Sequence, residues 1–105
     1  MDMKQMMRQA QKMQKELAKA QEEIAGMTFE GTAGGGMVKA TATGDMKISA
    51  ITIEPDAIDP EDAEMLQDMV CAAVNEALRG MNEISNQRMG AVTGGMNMPG
   101  MPGLM

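Results

Sequence analysis

Apolar and polar positions along this chain follow two periods. Over the first 25 residues, Met3, Met6, Ala10, Met13, Leu17, Ala20 and Ile24 recur at alternating spacings of three and four, a heptad seam along one side of a helix. Lys4, Arg8, Lys12, Lys15 and Lys19 interleave with it at spacings of 4, 4, 3 and 4. At about 100° per residue these five cations fall within roughly 80° of arc, centred opposite the seam. The spacing predicts one helix over residues 2–25, apolar on one side and basic on the other. Gly26 stands where a left-handed C′ residue would end it.

Between residues 27 and 54 the period falls to two. Met27 and Phe29 alternate with Thr28, Glu30 and Thr32, and Val38, Ala40 and Ala42 alternate with Lys39, Thr41 and Thr43. This is the pattern of half-buried strands. Residues 46–54 add a third strand carrying Ile48, Ile51, Thr52 and Ile53. Gly34, Gly35 and Gly36 permit the first reversal, and Gly44 with Asp45 the second. Strands at 27–33, 37–43 and 46–54 joined by such short loops make an antiparallel meander. Pro55, with no N–H for the ladder, stops the last one.

Asp59, Pro60, Glu61 and Asp62 form a strong helix start: a capping carboxylate, proline at N1, and acids facing the helix dipole. A second helix is predicted from Pro60 to about Met89. Its apolar arc holds Leu66, Val70, Ala73, Val74, Ala77, Leu78, Met81 and Ile84, and its polar arc includes Glu64, Asp68, Arg79, Glu83 and Asn86. Glycine and proline then become frequent, so residues 91–105 are expected to form a flexible or loosely docked tail beyond a single domain of residues 1–90. The predicted class is α+β, with a long helix, a three-stranded antiparallel meander and a second long helix. A helix of about 24 residues is roughly 36 Å long, against roughly 27 Å for a strand of about 8. Both rods overshoot the sheet, so their apolar sides call for each other or for a second subunit related by a twofold axis.

Composition strengthens that expectation. With 16 methionines and Phe29 as the sole aromatic among 105 residues, the core is adaptable and weakly specified by shape, and more burial through a partner would help. Charge is polarised. Residues 1–20 set five cations against Asp2 and Glu16, whereas residues 55–90 set eight acids against Arg79 and Arg88, within a net charge of −6. A basic surface aimed at polyanions, on an otherwise acidic molecule, fits this asymmetry. Cys71 cannot form an internal disulfide and, at the edge of an apolar helical face, is expected to be a small core residue. The polar first helix in place of a signal sequence, and the lack of about 18 consecutive apolar residues, point to the cytoplasm and away from a membrane span.

Catalysis has little to work with. There is no His, and the acids at residues 61, 62 and 64 are explained as helix capping. Gly34 to Gly36 lack the following Lys-Ser/Thr of a phosphate loop, so a hairpin turn is the reading. Met96, Met98, Met101 and Met105 offer soft ligands for Cu(I), yet no His or Cys accompanies them, and no metal or cofactor is expected.

Several of these segments resemble the YbaB/EbfC family of bacterial nucleoid-associated proteins. The resemblance rests on the element order and on Met13-Gln14-Lys15-Glu16-Leu17, Gly34-Gly35-Gly36-Met37-Val38, Asp59-Pro60-Glu61-Asp62 and Gly94-Gly95-Met96-Asn97-Met98-Pro99-Gly100. It covers essentially the whole chain. It implies a homodimer whose sheets form a central body and whose long helices project as paired arms, a DNA-binding role and association with the nucleoid. Carried onto this sequence, the DNA-contacting surface is Lys4, Arg8, Lys12, Lys15 and Lys19, with Arg79 and Arg88 on the second helix as weaker candidates.

The basic stripe supports the same expectation independently. Its neighbours repel, since like charges three or four residues apart on a helix cost a few tenths of a kcal/mol each, and such unpaired repulsion favours a functional surface. Two copies would present ten cations, of which about 4 to 8 would reach one duplex and release counterions. Nothing resembles a helix-turn-helix or a zinc finger, and no Trp or Tyr is present for stacking on single strands, so the expected ligand is double-stranded DNA with weak sequence preference. Effects on nucleoid organisation and gene expression would result, with no small-molecule substrate. Two other classes use the same features: a non-enzymatic protein-interaction adaptor working through the seam and tail, and a membrane-surface helix, which the dimer reading of the seam disfavours.

Overall fold

The computed structural model of the chain describes residues 2–94, with side chains as far as Val92. Helix α1 spans Met3–Ala25 and is followed by strands β1 (Thr28–Ala33), β2 (Val38–Thr43) and β3 (Ile48–Ile53), then by helix α2 (Ala63–Gly94). The strands form one antiparallel sheet in the order β1-β2-β3, the predicted meander. The α+β class and the order of elements agree with the sequence reading. The strands lose one or two residues at their ends to the loops.

Local chemistry accounts for most boundaries. The Asp2 carboxylate accepts from the Lys4 backbone N–H at 3.1 Å and caps α1. Gly26 ends the helix, but at φ −89° and ψ −1°, so it remains in the right-handed region. The left-handed exit expected there is not used, because the Gly26 and Met27 N–H groups donate back to Glu23 and Ile24 and carry the last turn straight into β1. The β1–β2 reversal does need glycine. Gly34, Gly35 and Gly36 take φ of 62°, 68° and 95°, in the left-handed region closed to most side chains. Before α2, Asp59 accepts from Glu61 N–H at 2.9 Å over a single 3-10 turn, Pro60–Asp62, and Asp62 accepts from Met65 N–H at 3.3 Å. Two carboxylates thus cap α2 in succession, and the α-helix proper begins three residues after Pro60.

One face of the sheet carries the core. Gly31 pairs with Ala40, Ala33 with Val38 and Phe29 with Ala42, and this row faces α2. Val38, Ala40, Ala42, Ala73, Ala77 and Met81 are fully buried. Most of these side chains are small, and they let backbones meet. A Cβ on Gly31 would lie 2.3 Å from the Ala77 amide nitrogen and 2.5 Å from the Ala73 carbonyl oxygen. The ring of Phe29 similarly occupies the space a Cβ on Gly80 would need, 2.2 Å away. Helix α2 therefore sits on β1 and β2 almost backbone to backbone, with the one aromatic ring bedded on a glycine.

That seat decides which way α2 is turned. With Ala73, Ala77 and Met81 inward, Cys71 is rotated about 200° from Ala73 and points to solvent. Its expected burial is thus corrected: an apolar neighbourhood in the sequence does not place it on the packed side. The helix also runs on to Gly94, through Gly90 and past the predicted end near Met89. A helical glycine costs about 1 kcal/mol relative to alanine, and here α1 lies alongside to offset it. Residues 95–105, most of the expected tail, lie outside the described residues.

Because α2 packs along β1 and β2 rather than β3, the third strand is a bare edge. Ile51, which pairs with Ala40 on the covered face, is nonetheless 44% exposed. Both helices continue beyond the sheet as an antiparallel pair, and the Cα envelope measures 71 × 28 × 15 Å. The described chain is a small sheet body with a helical arm.

Candidate nucleic-acid interface

The arm is built from the C-terminal half of α1 and the end of α2. Ala20 and Ile24 are buried in it, and the Arg88 guanidinium meets the Glu23 carboxylate at 3.5 Å. Ala91 and Val92 line a groove of about 290 Å³ with Glu16, Lys19 and Ala20. The N-terminal half of α1 reaches past this contact. There the seam predicted from the heptad spacing is uncovered, with Met3 75% and Met6 53% exposed, and Met7 on its flank is 60% exposed.

On the opposite side of α1, all five cations of the stripe are exposed. At 1.5 Å per residue the stripe from Lys4 to Lys19 is about 22 Å long. Among the described residues, none of these five side chains makes an ion pair. Glu16 stands four residues after Lys12 and three before Lys19, yet it is half-buried toward α2 and pairs with neither. Glu23 stands four residues after Lys19 but is engaged by Arg88. Glu22, three residues after Lys19 on the same face, also pairs with none of them, so the stripe has no ion pair from its own helix among the described residues.

Cations elsewhere are mostly neutralised. Arg79 is held from both sides on α2. Its Nη2 and Nε donate to Glu76 at 2.8 and 3.2 Å, and its Nη1 donates to Glu83 at 2.7 Å. These bonds hold the Glu76 carboxyl below its ordinary 4.5 and raise the guanidinium further. Arg88 ties α2 to α1, and Lys47 lies 3.9 Å from Asp45 in the β2–β3 turn. The Asp45 carboxylate, which also accepts from the Thr43 hydroxyl, is likewise held below its ordinary 3.8. Lys39 is the one further cation without an ion-pair partner among the described residues, on the sheet face away from α2. Strand alternation placed it on the polar face, a signal sufficient to have added it as a candidate.

The structure thus brings Lys4, Arg8, Lys12, Lys15 and Lys19 together on one face, places Arg79 apart from them between Glu76 and Glu83, and sets Arg88 in the same groove as Lys19 but paired with Glu23. The acids gather at the other pole. Asp62, Glu64 and Asp68 border an open depression of about 450 Å³ beside Gly34 and Met69. Among the described residues, no group of three or more His, Cys, Asp or Glu could hold a metal ion, and no helix is long and apolar enough to cross a membrane.

Comparison with known proteins meets this geometry from another direction. The chain is 53% identical over 100 residues to a nucleoid-associated protein of Desulforamulus reducens, and 51% identical over 100 residues to one of Pelotomaculum thermopropionicum, each match covering 95% of both chains. Its fold is similar to the crystal structure of the uncharacterized protein HP0035 from Helicobacter pylori, with a TM-score of 0.69 at 24% identity over 83% of this chain and 91% of that one. The model of the YbaB/EbfC DNA-binding family matches residues 1–96, and the chain belongs to that family.

Proposed function

We propose that this protein is a nucleoid-associated, double-stranded-DNA-binding protein of the cytoplasm, acting as a homodimer through the basic face of α1. The observation that carries the reading is the contrast in pairing: the five α1 cations are exposed and without ion-pair partners, whereas Arg79 and Arg88 are engaged by Glu76, Glu83 and Glu23. Self-repelling cations kept in a row along a projecting rod are suited to a phosphate backbone, which carries a charge about every 1.7 Å of duplex axis. The side chains of the stripe reach phosphates without a device for reading base edges, so sequence preference is weak. Contacts by Arg79 or Arg88 would first have to break their internal pairs, and their share is accordingly small.

The dimer completes the exposed sheet edge. Ile51 on β3 is an exposed apolar residue on an edge that α2 does not cover. A second copy related by a twofold axis would bury it and set two basic arms on one body. The acidic pole then repels DNA from the body and confines it to the arms.

The test is a salt titration of binding to a labelled duplex, comparing the native chain with the Lys12→Glu, Lys15→Glu double variant and checking mass by light scattering. Binding should weaken linearly in log–log form, with a slope near 0.9 per phosphate contact, and the double variant should lose about two contacts' worth of slope while remaining dimeric. A variant slope equal to the native one moves DNA off α1. Absence of duplex binding even at low salt leaves the adaptor reading, with the seam as its surface.

A further inference from the structure

The basic stripe of α1 has a defined inner end. Its spacings of 4, 4, 3 and 4 call next for residue 22 or 23, and both are glutamates. Glu22 stands seven residues after Lys15 and about 20° from it around the helix, within the arc of the cations. Glu23 is turned to the flank and held by Arg88, and Glu16 is half-buried in the same groove. Glu22 is therefore the one carboxylate of α1 that stands exposed on the line of the stripe.

The fold gives Glu22 no structural reason to be acidic. It makes no ion pair among the described residues, and it lies in the last turn of α1, which carries no basic residue. The helix dipole presents its negative end there, which favours cations and disfavours carboxylates. Helix stability thus opposes Glu22 rather than requiring it. Its electrostatic effect falls on the stripe instead. Residues 3–15 carry four cations and no acid, whereas residues 16–25 set Lys19 against Glu16, Glu22 and Glu23. The sign of the charge on α1 changes along its axis, and Glu22 marks the change about 27 Å from Lys4 and about 4.5 Å beyond Lys19.

We propose that Glu22 is the inner stop of the DNA-contacting surface: its carboxylate repels duplex phosphates at the base of the arm and confines contact to the part of α1 outward of it. The inference rests on the reading of the stripe as a duplex-binding face. A phosphate backbone laid along α1 meets Lys4, Arg8, Lys12 and Lys15 in turn, then Lys19 with a carboxylate inside the screening length of about 8 Å. Lys19 accordingly contributes least of the five. Affinity is lowered by Glu22, and the register of DNA on the arm is fixed by it.

The test combines duplex affinity with backbone amide NMR shifts of the full-length protein during duplex titration. In the native chain the shifts should extend along α1 to about residue 20. In Glu22→Gln they should extend further, to the end of the helix, and affinity should rise about threefold for each arm engaged, as expected on removing one exposed charge contact. The denaturation midpoint of that variant should not fall, because no contact is lost. Glu64→Gln makes the same charge change at the acidic pole and should alter neither affinity nor the pattern of shifts. Native affinity and a native shift pattern in Glu22→Gln would overturn the inference. So would an equal gain in Glu64→Gln, which assigns the effect to net charge. Absence of duplex binding by the native chain at low salt is a distinct outcome: it sinks the DNA reading, and this inference with it.

Discussion

The two helices of this protein have similar patterns and come to different ends. Both are long rods with an apolar face and a charged face. In α2 the core-facing apolar residues and both cations are consumed internally: the apolar face meets the sheet at backbone distance, and Arg79 and Arg88 are tied to Glu76, Glu83 and Glu23. In α1 little is consumed: the N-terminal half of the seam is bare, and five cations have no acid paired to them among the described residues. An amphipathic pattern alone therefore does not separate structure from function. Whether its charges and apolar groups find partners within the chain does.

The contrast between the helices is most vulnerable at the seat of α2. Gly31→Val places side-chain atoms where the Ala73 and Ala77 backbone lies, and neither can yield without moving the helix. A loss of about 3 kcal/mol is expected, in line with overpacking of a close-packed core, and urea denaturation measures it. Gly80→Ala should cost less, since only the edge of the Phe29 ring must shift.

Charge changes separate the helices more cleanly. Reversing Lys4 and Arg8 should reduce the salt slope of duplex binding by about two and leave the denaturation midpoint almost unchanged. Arg79→Gln should do the opposite, with little change in slope and a small drop in midpoint, because its partners are Glu76 and Glu83. If Arg79→Gln flattened the slope as strongly as the α1 change, both helices would share the DNA surface and the division of labour between them would be wrong.

The Glu76–Arg79 pairing also has a pH signature. The folded carboxyl titrates below its ordinary 4.5, so its contribution is complete above that value and is lost as pH falls through the folded value. The stability difference between native protein and Glu76→Gln should therefore shrink as pH is lowered below 4.5, as followed by denaturation at several pH values. The smallest effect is expected at Gly26, which occupies right-handed conformation with room for a Cβ. Gly26→Ala should be neutral or stabilise by up to about 1 kcal/mol, whereas a left-handed cap would be harmed by it.

Much of this architecture was legible in the residues because local chemistry decides it. The Asp59-Pro60 start of the second helix, the three-glycine reversal and the alternation of β1 and β2 each arise from preferences of the residues concerned. The basic face of α1 was equally legible, since helical spacing alone brings its cations together. Three features depended on tertiary packing instead. Cys71 points outward because Gly31 and Ala77 set the rotation of α2. The helix continues through Gly90 because α1 packs beside it. Arg88 is paired because the fold brings up Glu23, 65 residues away in sequence. The clamp on Arg79, by contrast, was readable from Glu76 and Glu83 at three and four residues' distance, and its candidacy as a DNA contact could have been weighed against that pairing at the outset.

The close seat of α2 on β1 has a mechanical consequence for the arm. A helix resting on long, soft side chains can rock about its contact; one whose amide nitrogen lies where a neighbouring Cβ would have stood has almost no such play. Helix α2 is in effect the built-in end of a cantilever, and α1 is splayed along its free length. A pull on the basic stripe would be met by bending of the paired helices rather than by a hinge at the sheet, so the angle at which the stripe is presented is fixed by the stiffness of the rod.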